Sequence, residues 1–308
     1  MRTAFINQLT IDAKKNKKIF LLVADLGFSV IENFAKLYPD RYLNVGIAEQ
    51  NMAGIAAGLA KEGFCVYIYS IGNFPTLRCM EQIRYDICYH DLNVNIVAVG
   101  GGYSYASLGP SHHATEELGM LRTIPNLIVC APGDPFEAKE LTSLSSKINK
   151  PFYIRLGRAG EKKIHTNPIN DLELGDNLCL INSKTKNAIF STGGMLTDSF
   201  EFASKFNISL YSFPFIKPLN KWELLVLFKL YEKIIIIEEH QISAGFGSAI
   251  LENLNDLVED HNIDKNDIPK IKRVAIKDEF YSLAGSQKYL KNIAGLNFND
   301  ANNFFNLD

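Results

Sequence analysis

Short, almost continuously apolar runs alternate with amphipathic segments along the first half of the chain. Strands are predicted for the apolar runs at 19–25, 66–70, 94–100, 126–132 and 152–157. Helices are predicted between them, where apolar residues recur at helical spacing, at 48–62, 76–90, 114–122 and 134–147. Buried strands that alternate with helices are typical of a parallel sheet covered on both faces. The pattern therefore predicts a doubly wound α/β domain.

A second α/β unit follows a polar stretch without any hydrophobic period. Polarity rises between about Gly157 and Asn187, and this stretch is interpreted as a linker. Beyond it, strands are predicted near 187–192, 208–213, 233–239 and 271–276, and helices near 197–206, 221–231, 245–259 and 284–292. The expected fold class is two tandem α/β domains built on parallel or mixed sheets.

Composition and charge limit the kinds of partner that the chain is expected to bind. Of the 308 residues, 47% are hydrophobic and 21% are charged, which is the balance of a globular protein. The formal net charge of −2 lacks the positive excess of a nucleic-acid-binding surface, so we expect no nucleic-acid partner. The longest apolar runs, such as 233–239, are too short to span a bilayer, and the N-terminus lacks the apolar core of a signal peptide. We therefore expect no membrane partner and a cytoplasmic location.

The five cysteines do not form a metal or redox motif. The cysteines are Cys65, Cys79, Cys88, Cys130 and Cys179, and no two of them have CxxC spacing. Their scatter among apolar residues is typical of buried free thiols in a reducing compartment. We expect no metal ligands in this chain.

Polar side chains follow several predicted strands, where ligands of open parallel sheets gather. These segments are ADLG (24–27), GIAEQ (46–50), GGGYSYASLGPSHH (100–113) and RLGR (155–158). Glu49 has two explanations: the helix dipole would stabilise a carboxylate in the first helical turn, or the residue handles a proton in an active site. Asp25 could likewise be only a turn residue or helix cap.

The remaining candidates also have structural alternatives. His112 and His113 lie in a glycine-rich loop, where exposed histidines are common. Arg155 and Arg158 suit anion binding, although either could instead form a surface ion pair. The run Glu238, Glu239 and His240 is expected to end a strand and cap the next helix rather than to bind a metal.

Six sequence segments, by their order and spacing along the chain, resemble those of a known protein family. They are ADL (24–26), NVGIAEQNMAGIAAGLA (44–60), LRCMEQIRYD (77–86), GPSHHATEELGMLRTIPNLIVCAPGDP (109–135), IRLGR (154–158) and IIIIEEHQISAGFGSAILE (234–252). The sequence resembles the carboxyl-terminal half of transketolase, most closely the small subunits of enzymes split over two chains. Deoxyxylulose-phosphate synthases and 2-oxo-acid dehydrogenase beta subunits share the acid motif, so thiamine diphosphate use is better supported than the exact reaction.

The resemblance implies an architecture and a cofactor. Residues 1–165 would form the pyrimidine-binding domain of a thiamine-diphosphate enzyme, 166–186 the linker, and 187–308 a transketolase C-terminal-like domain. Glu49 matches the catalytic glutamate, whose carboxyl group bonds N1′ of the aminopyrimidine and so helps the cofactor lose its thiazolium C2 proton. A dry, apolar site favours such proton sharing.

Other residue roles are also implied by the resemblance. Cofactor contacts are expected from Asp25 and Leu26 near the thiazolium, from Phe74 stacked on the pyrimidine, and from Arg78. His112 matches a catalytic histidine that faces the oxygens of the donor sugar. Arg158, with Arg155, is expected to bind the sugar phosphate, since a planar guanidinium suits bidentate phosphate contacts.

Two departures from the family pattern concern specificity. Transketolases carry an acidic pair before the GP of the histidine loop, whereas this chain has Ser107 and Leu108. Recognition of the sugar hydroxyls is therefore expected to differ, and the donor need not be an ordinary pentose phosphate. Deoxyxylulose-phosphate synthases have histidine after AEQ, whereas Asn51 stands here, which counts against that reaction.

The chain also lacks the other half of the cofactor site. Thiamine-diphosphate enzymes hold the diphosphate through Mg²⁺ with a Gly-Asp-Gly motif and a downstream asparagine, and no GDG occurs in the 308 residues. We therefore expect an N-terminal transketolase subunit that carries this motif and most of the Mg²⁺ contacts, in a heterotetramer with two of each chain. The alternatives are a sister thiamine-diphosphate reaction or a non-catalytic partner subunit.

Overall fold

The computed structural model describes residues 1–307 and contains two β-sheets flanked by helices. The strands are β1 (Ile19–Val23), β2 (Tyr42–Asn44), β3 (Cys65–Ile71), β4 (Val94–Val99), β5 (Ile128–Cys130), β6 (Phe152–Leu156), β7 (Leu178–Ile181), β8 (Asn187–Ser191), β9 (Ser209–Ser212), β10 (Phe215–Lys217), β11 (Lys233–Gln241) and β12 (Lys270–Ile276). The α-helices are α1 (Arg2–Lys15), α2 (Glu32–Leu37), α3 (Glu49–Lys61), α4 (Met80–Gln82), α5 (Glu117–Arg122), α6 (Pro135–Ser145), α7 (Leu196–Phe206), α8 (Lys221–Leu230), α9 (Phe246–Glu259), α10 (Gln287–Ile293) and α11 (Ala301–Phe305).

The first sheet has seven strands in the order β10-β5-β6-β4-β3-β1-β2. All neighbours are parallel except β10, which runs antiparallel to β5. Its central strands are largely apolar because both faces are covered: α1 and α6 pack on one face, and α3 and α5 on the other. The predicted doubly wound domain is confirmed.

The second sheet has five strands in the order β12-β11-β8-β9-β7, with β7 antiparallel to β9. Helices α8 and α9 cover one face, and α7, α10 and α11 cover the other. The core under α8 and α9 is continuous with the core under α3, since Phe213 and Phe246 belong to the same buried cluster as Met52. The predicted class of two tandem α/β domains with mixed sheets is confirmed.

Several elements differ from the pattern-based expectation. The segment 166–186, predicted as a linker, contains β7, an edge strand of four residues without a continuous buried run. Strand β10 follows that segment but pairs with β5 of the first sheet, so the second half of the chain completes the first sheet. Residues 76–90, predicted as one helix, form a 3₁₀ turn, the short α4 and a π-helix at Ile83–Cys88. Among the described residues, no helix combines the length and apolar character needed to cross a membrane.

Candidate functional site

Glu49 opens α3 as a buried carboxylate, with a side chain that is only 2% exposed. Its Oε2 atom accepts a hydrogen bond from Arg78 Nη1 at 2.6 Å, and within residues 1–307 this is the one hydrogen bond that its carboxylate makes. Apolar side chains of the same helix, Met52, Ala53 and Ala56, are fully buried below it. The helix N-terminus and the Arg78 cation stabilise the carboxylate, and within residues 1–307 its Oε1 atom has no hydrogen bond.

A row of cationic and aromatic groups runs from Glu49 into the cleft between the domains. The Arg78 guanidinium lies 4.6 Å from the centre of the Phe74 ring, and Phe74 meets His112 edge-on at 5.3 Å between ring centres. Further along, His112 lies 6.4 Å from Tyr105, and Arg158 lies 5.3 Å from the Tyr105 ring centre. We call this set the aromatic row: Glu49, Arg78, Phe74, His112, Tyr105 and Arg158.

The aromatic row joins five of the residues singled out from the sequence and adds Tyr105, which sequence reasoning missed. The only available signal was an aromatic residue within a glycine-rich loop. His112 lies in a short 3₁₀ turn, Pro110–His112, where Ser111 Oγ is 3.0 Å from His112 Nδ1. That contact leaves His112 Nε2 without a hydrogen bond among the described residues.

Asp25 and Leu26 occupy the end of β1, beside rather than within the aromatic row. Asp25 has a left-handed backbone, with φ at 51°, and is held by Asn44 through two hydrogen bonds. Asn44 Oδ1 accepts from the Asp25 backbone N–H at 3.0 Å, while Asn44 Nδ2 donates to Asp25 Oδ1 at 3.2 Å. Asn44 Oδ1 also accepts from Gly46 N, which ties Asp25 to the loop that leads into α3. Leu26 lines a cavity of about 130 Å³ together with the exposed Phe28.

Arg155 lies in the core, which differs from its predicted role in substrate binding. Its side chain is 4% exposed, and its Nε is 2.7 Å from the Glu117 carboxylate, which is wholly buried. The guanidinium also donates to the carbonyl oxygens of Ala114 and of Glu239, the latter at 3.0 Å. Burial raises the pKa of Glu117, although the charge of Arg155 opposes this rise. Arg155 therefore forms a buried ion pair rather than the surface pair considered from the sequence, and its donors face buried partners rather than the cleft.

The acidic run at the end of β11 caps a helix, as expected, and also contacts the first domain. The Glu238 carboxylate accepts hydrogen bonds from the backbone N–H groups of Phe246 at 2.6 Å and Gly247 at 2.7 Å, at the start of α9. Glu239 Oε1 accepts from Tyr103 N of the first domain at 2.9 Å. His240 Nε2 accepts from Gly119 N at 3.1 Å. The acceptors are thus already occupied, Glu238 and His240 by backbone donors and Glu239 also by the side-chain amide of Gln287.

Arg158 opens onto a polar cleft between the domains. The cleft has a volume of about 590 Å³, and its walls include Ser104, Ser107, Lys162 and Lys291. Lys162 pairs with Glu201 at the surface, and Lys291 pairs with Asp198 at 3.0 Å. Within residues 1–307 Arg158 has no such acidic partner, so its charge is available to an anion that enters the cleft.

The described residues contain one cluster of three metal-type ligands, Asp134, Glu137 and His165. Asp134 Oδ1 accepts from the backbone N–H groups of Phe136 and Glu137, and its Oδ2 accepts from those of Ile164 and His165. Glu137 accepts from Gly133 N and bonds the His165 ring. Because these oxygens are already occupied, the cluster caps α6 and fastens the segment after β6.

The fold and the site define a class. The chain is an α/β enzyme subunit that presents a buried carboxylate, an aromatic row and an anion-accessible cleft at the strand ends, without a diphosphate-Mg²⁺ motif in its sequence. The family models for "Transketolase, pyrimidine binding domain" and "Transketolase, C-terminal domain" match residues 1–160 and 179–299. The chain belongs to the transketolase family of transferases.

Individual relatives agree with this assignment. The chain is 30% identical over 298 residues to a "Putative transketolase C-terminal section" of Methanocaldococcus jannaschii, which covers 94% of this chain and 90% of that protein. It is 30% identical over 272 residues to a subunit of an apulose-4-phosphate transketolase from Actinobacillus succinogenes, covering 86% and 84%. A solved "Split gene transketolase, inactive beta4 tetramer" matches with a TM-score of 0.84 and 30% identity, over 99% and 96% of the two chains. The resemblance to subunits of split transketolases is thus confirmed.

Proposed function

We propose that this chain supplies the pyrimidine-binding half of a two-chain, thiamine-diphosphate-dependent transketolase that moves a two-carbon ketol unit between sugar phosphates. The observation that carries the proposal is the Glu49 carboxylate: it is buried at the start of α3, Arg78 binds one oxygen, and the other oxygen has no hydrogen bond in residues 1–307. A buried acceptor of this kind fits the protonated ring nitrogen of an aminopyrimidine.

The groups around Glu49 fit the pyrimidine end of the cofactor. When bound, thiamine diphosphate supplies the carbanion chemistry that ketol transfer requires. Glu49 Oε1 would hold a proton against N1′ of the bound ring, and Arg78 fixes the direction of the carboxylate through Oε2. Phe74 would offer its ring for stacking, and Asp25 with Leu26, at the end of β1, would contact the thiazolium. These residues fit only the half of the cofactor that carries the pyrimidine. The acidic cluster at Asp134 is not available to the Mg²⁺ of the diphosphate, because Asp134 already accepts hydrogen bonds from backbone N–H groups.

The cleft fits an anionic sugar. His112, with Nε2 free of hydrogen bonds in the described chain, faces the oxygens of the donor, and Arg158 binds its phosphate. Leu108 belongs to the same loop as His112 and is 53% exposed. An apolar side chain at that place cannot hydrogen-bond a sugar hydroxyl, so we propose a donor that differs from an ordinary pentose phosphate near this residue.

A second subunit completes the site in this proposal. It is an N-terminal transketolase subunit that brings the GDG motif and the main Mg²⁺ contacts, in a heterotetramer of two of each chain. The outer face of α3 suits close docking, because Gly54 and Gly58 are exposed and a side chain added at either would meet no atom of this chain within 4 Å. The description of the split-gene relative as an inactive tetramer of one subunit type supports the need for a second chain.

The test is a ketol-transfer assay on the two purified chains, alone and mixed, with thiamine diphosphate and Mg²⁺. The panel contains phosphorylated and unphosphorylated ketose donors, aldehyde acceptors and pyruvate. We expect transfer only from the mixture and faster transfer from phosphorylated donors. Full transfer by this chain alone would contradict the division of the cofactor site. Consumption of pyruvate would indicate a sister reaction, and cofactor binding by the partner that is unaffected by this chain would indicate a non-catalytic subunit.

A further inference from the structure

Tyr105 occupies the middle of the aromatic row, between the two groups proposed to bind the donor sugar. On one side its ring lies 5.3 Å from the Arg158 guanidinium carbon, and on the other its centre is 6.4 Å from that of His112. Both separations lie within the ranges in which cation–π and aromatic contacts stabilise a geometry. One ring thus contacts both polar groups.

The loop is built around this ring. Gly100 has a left-handed backbone with φ at +93°, and a Cβ atom placed there would lie 2.1 Å from Cδ2 of Tyr105. Only glycine allows the ring to lie against the strand end in that way. The backbone of Tyr105 also starts the 3₁₀ turn at Ala106–Leu108, where Leu108 N donates to Tyr105 O at 2.9 Å. The position of the ring is therefore fixed from the side of the sheet.

Arg158, in contrast, has few other constraints. Its side chain is exposed, and no carboxylate of residues 1–307 forms an ion pair with it. A long exposed arginine samples many rotamers, and ordering it around a phosphate costs conformational entropy. A ring that already holds the guanidinium lowers this cost and leaves its N–H edge free for an anion.

We infer that Tyr105 is a positioning residue that holds Arg158 at a fixed reach from His112 and so sets the preference for phosphorylated donors. The inference deepens the proposed function and rests on it for the identity of the substrate. The Tyr105 ring, rather than its hydroxyl, carries the effect, because the contacts with Arg158 and His112 are made by the ring face and edge. A phenylalanine at this position is therefore expected to act like the tyrosine.

The kinetic test compares Tyr105→Leu, Tyr105→Phe and Arg158→Met in the assembled two-chain enzyme. For Tyr105→Leu we expect the KM for a phosphorylated donor to rise about threefold to tenfold, and by a larger factor than the KM for the unphosphorylated donor. Tyr105→Phe should keep the wild-type values, and adding Tyr105→Leu to Arg158→Met should raise the KM no further. A matched control is Tyr85→Leu, which removes a surface contact with Arg84 of 4.5 Å. Equal changes for both donors, or a Tyr105→Phe variant that behaves like Tyr105→Leu, would overturn the inference.

A second measurement separates this inference from the proposed reaction. Binding of inorganic phosphate to the full chain is followed by calorimetry, without any partner or turnover. We expect weaker binding for Tyr105→Leu by the same factor, binding close to wild type for Tyr105→Phe, and none for Arg158→Met. If wild-type chain fails to bind phosphate, or if Tyr105→Leu binds it as tightly, the positioning role is wrong whatever the assembled enzyme catalyses.

Discussion

Arg155 gives the sharpest test of the structural account, because the sequence placed it in the substrate site and the structure places it in the core. Arg155→Met removes the only cation bonded to the Glu117 carboxylate in the described chain, together with donors to the carbonyls of Ala114 and Glu239. Both side chains of the pair are at most 4% exposed, so water cannot replace the lost partner. Breaking a buried pair from one side typically costs about 3–5 kcal/mol.

Equilibrium unfolding in urea measures this cost, and thermal unfolding gives a second estimate. At ~2–4 °C per kcal/mol for a large domain, a loss of about 3–5 kcal/mol corresponds to a fall of roughly 6–20 °C in Tm. Arg158→Met is the matched control, because an exposed arginine without an ion pair should change stability by no more than about 0.5 kcal/mol. The double variant with Glu117→Gln should recover much of the loss, since the stranded charge is then gone.

The same variants also separate the two roles in the assay. Arg155→Met should leave the ratio of KM values for phosphorylated and unphosphorylated donors unchanged, whereas Arg158→Met should shift it. Unfolding of Arg155→Met at the same urea concentration as Arg158→Met would contradict the buried structural role of Arg155. A raised KM for phosphorylated donors as its main effect would contradict that role as well.

Two further predictions concern the cap of α9 and the outer face of α3. Burial raises the pKa of Glu238 to about 7 from 4.5, so its contribution to stability falls as pH rises from 4.5 to 7. Burial lowers the pKa of His240 to about 4 from 6.5, so its contribution falls as pH falls from 6.5 to 4. Since Glu238 Oε2 lies 3.9 Å from His240 Nδ1, the two groups titrate as a pair. Relative to wild type, Glu238→Gln should lose stability as pH falls from 6.5 to 4.5, measured by urea unfolding; parallel curves would contradict this. On α3, Gly54→Leu should leave the chain folded but prevent assembly with the partner in size-exclusion chromatography, whereas Gly54→Ala should assemble; normal assembly of Gly54→Leu would exclude this face from the interface.

The periodic elements were predictable because their cause is local. Strands β1, β3, β4, β5 and β6 of the first sheet carry almost continuous apolar runs, since helices cover both faces, and a single sequence shows this directly. Strands β2, β7 and β10 have three or four residues each and no such run, so their existence depends on neighbours that are distant in sequence. The pairing of β10 with β5 in particular depends on tertiary contacts, which a short stretch of sequence does not show.

The site residues, like the strands, divide into those that a local sequence motif predicts and those that depend on tertiary contacts. Glu49, Arg78, His112 and Arg158 lie on segments with a recognisable motif, and the structure brings them into one row with Phe74. Arg155 is only three positions from Arg158, yet it lies within strand β6, where its side chain is directed into the core, while Arg158 follows the strand end. Tyr105 has no motif of its own, and its role depends on the space that Gly100 leaves beside it. Spacing thus identified the loop but not the contacts within it.

The most direct test of the central claim is the turnover of the assembled two-chain enzyme with Glu49→Gln. The amide keeps the size of the side chain and an acceptor for Arg78, but it cannot exchange a proton with the cofactor. We predict a loss in kcat of about 10²–10⁴-fold with assembly intact, while the control Glu223→Gln, in the first turn of α8, stays near wild type. Turnover within a fewfold of wild type would contradict the catalytic role of Glu49, and a complex that falls apart would assign the carboxylate a structural role instead.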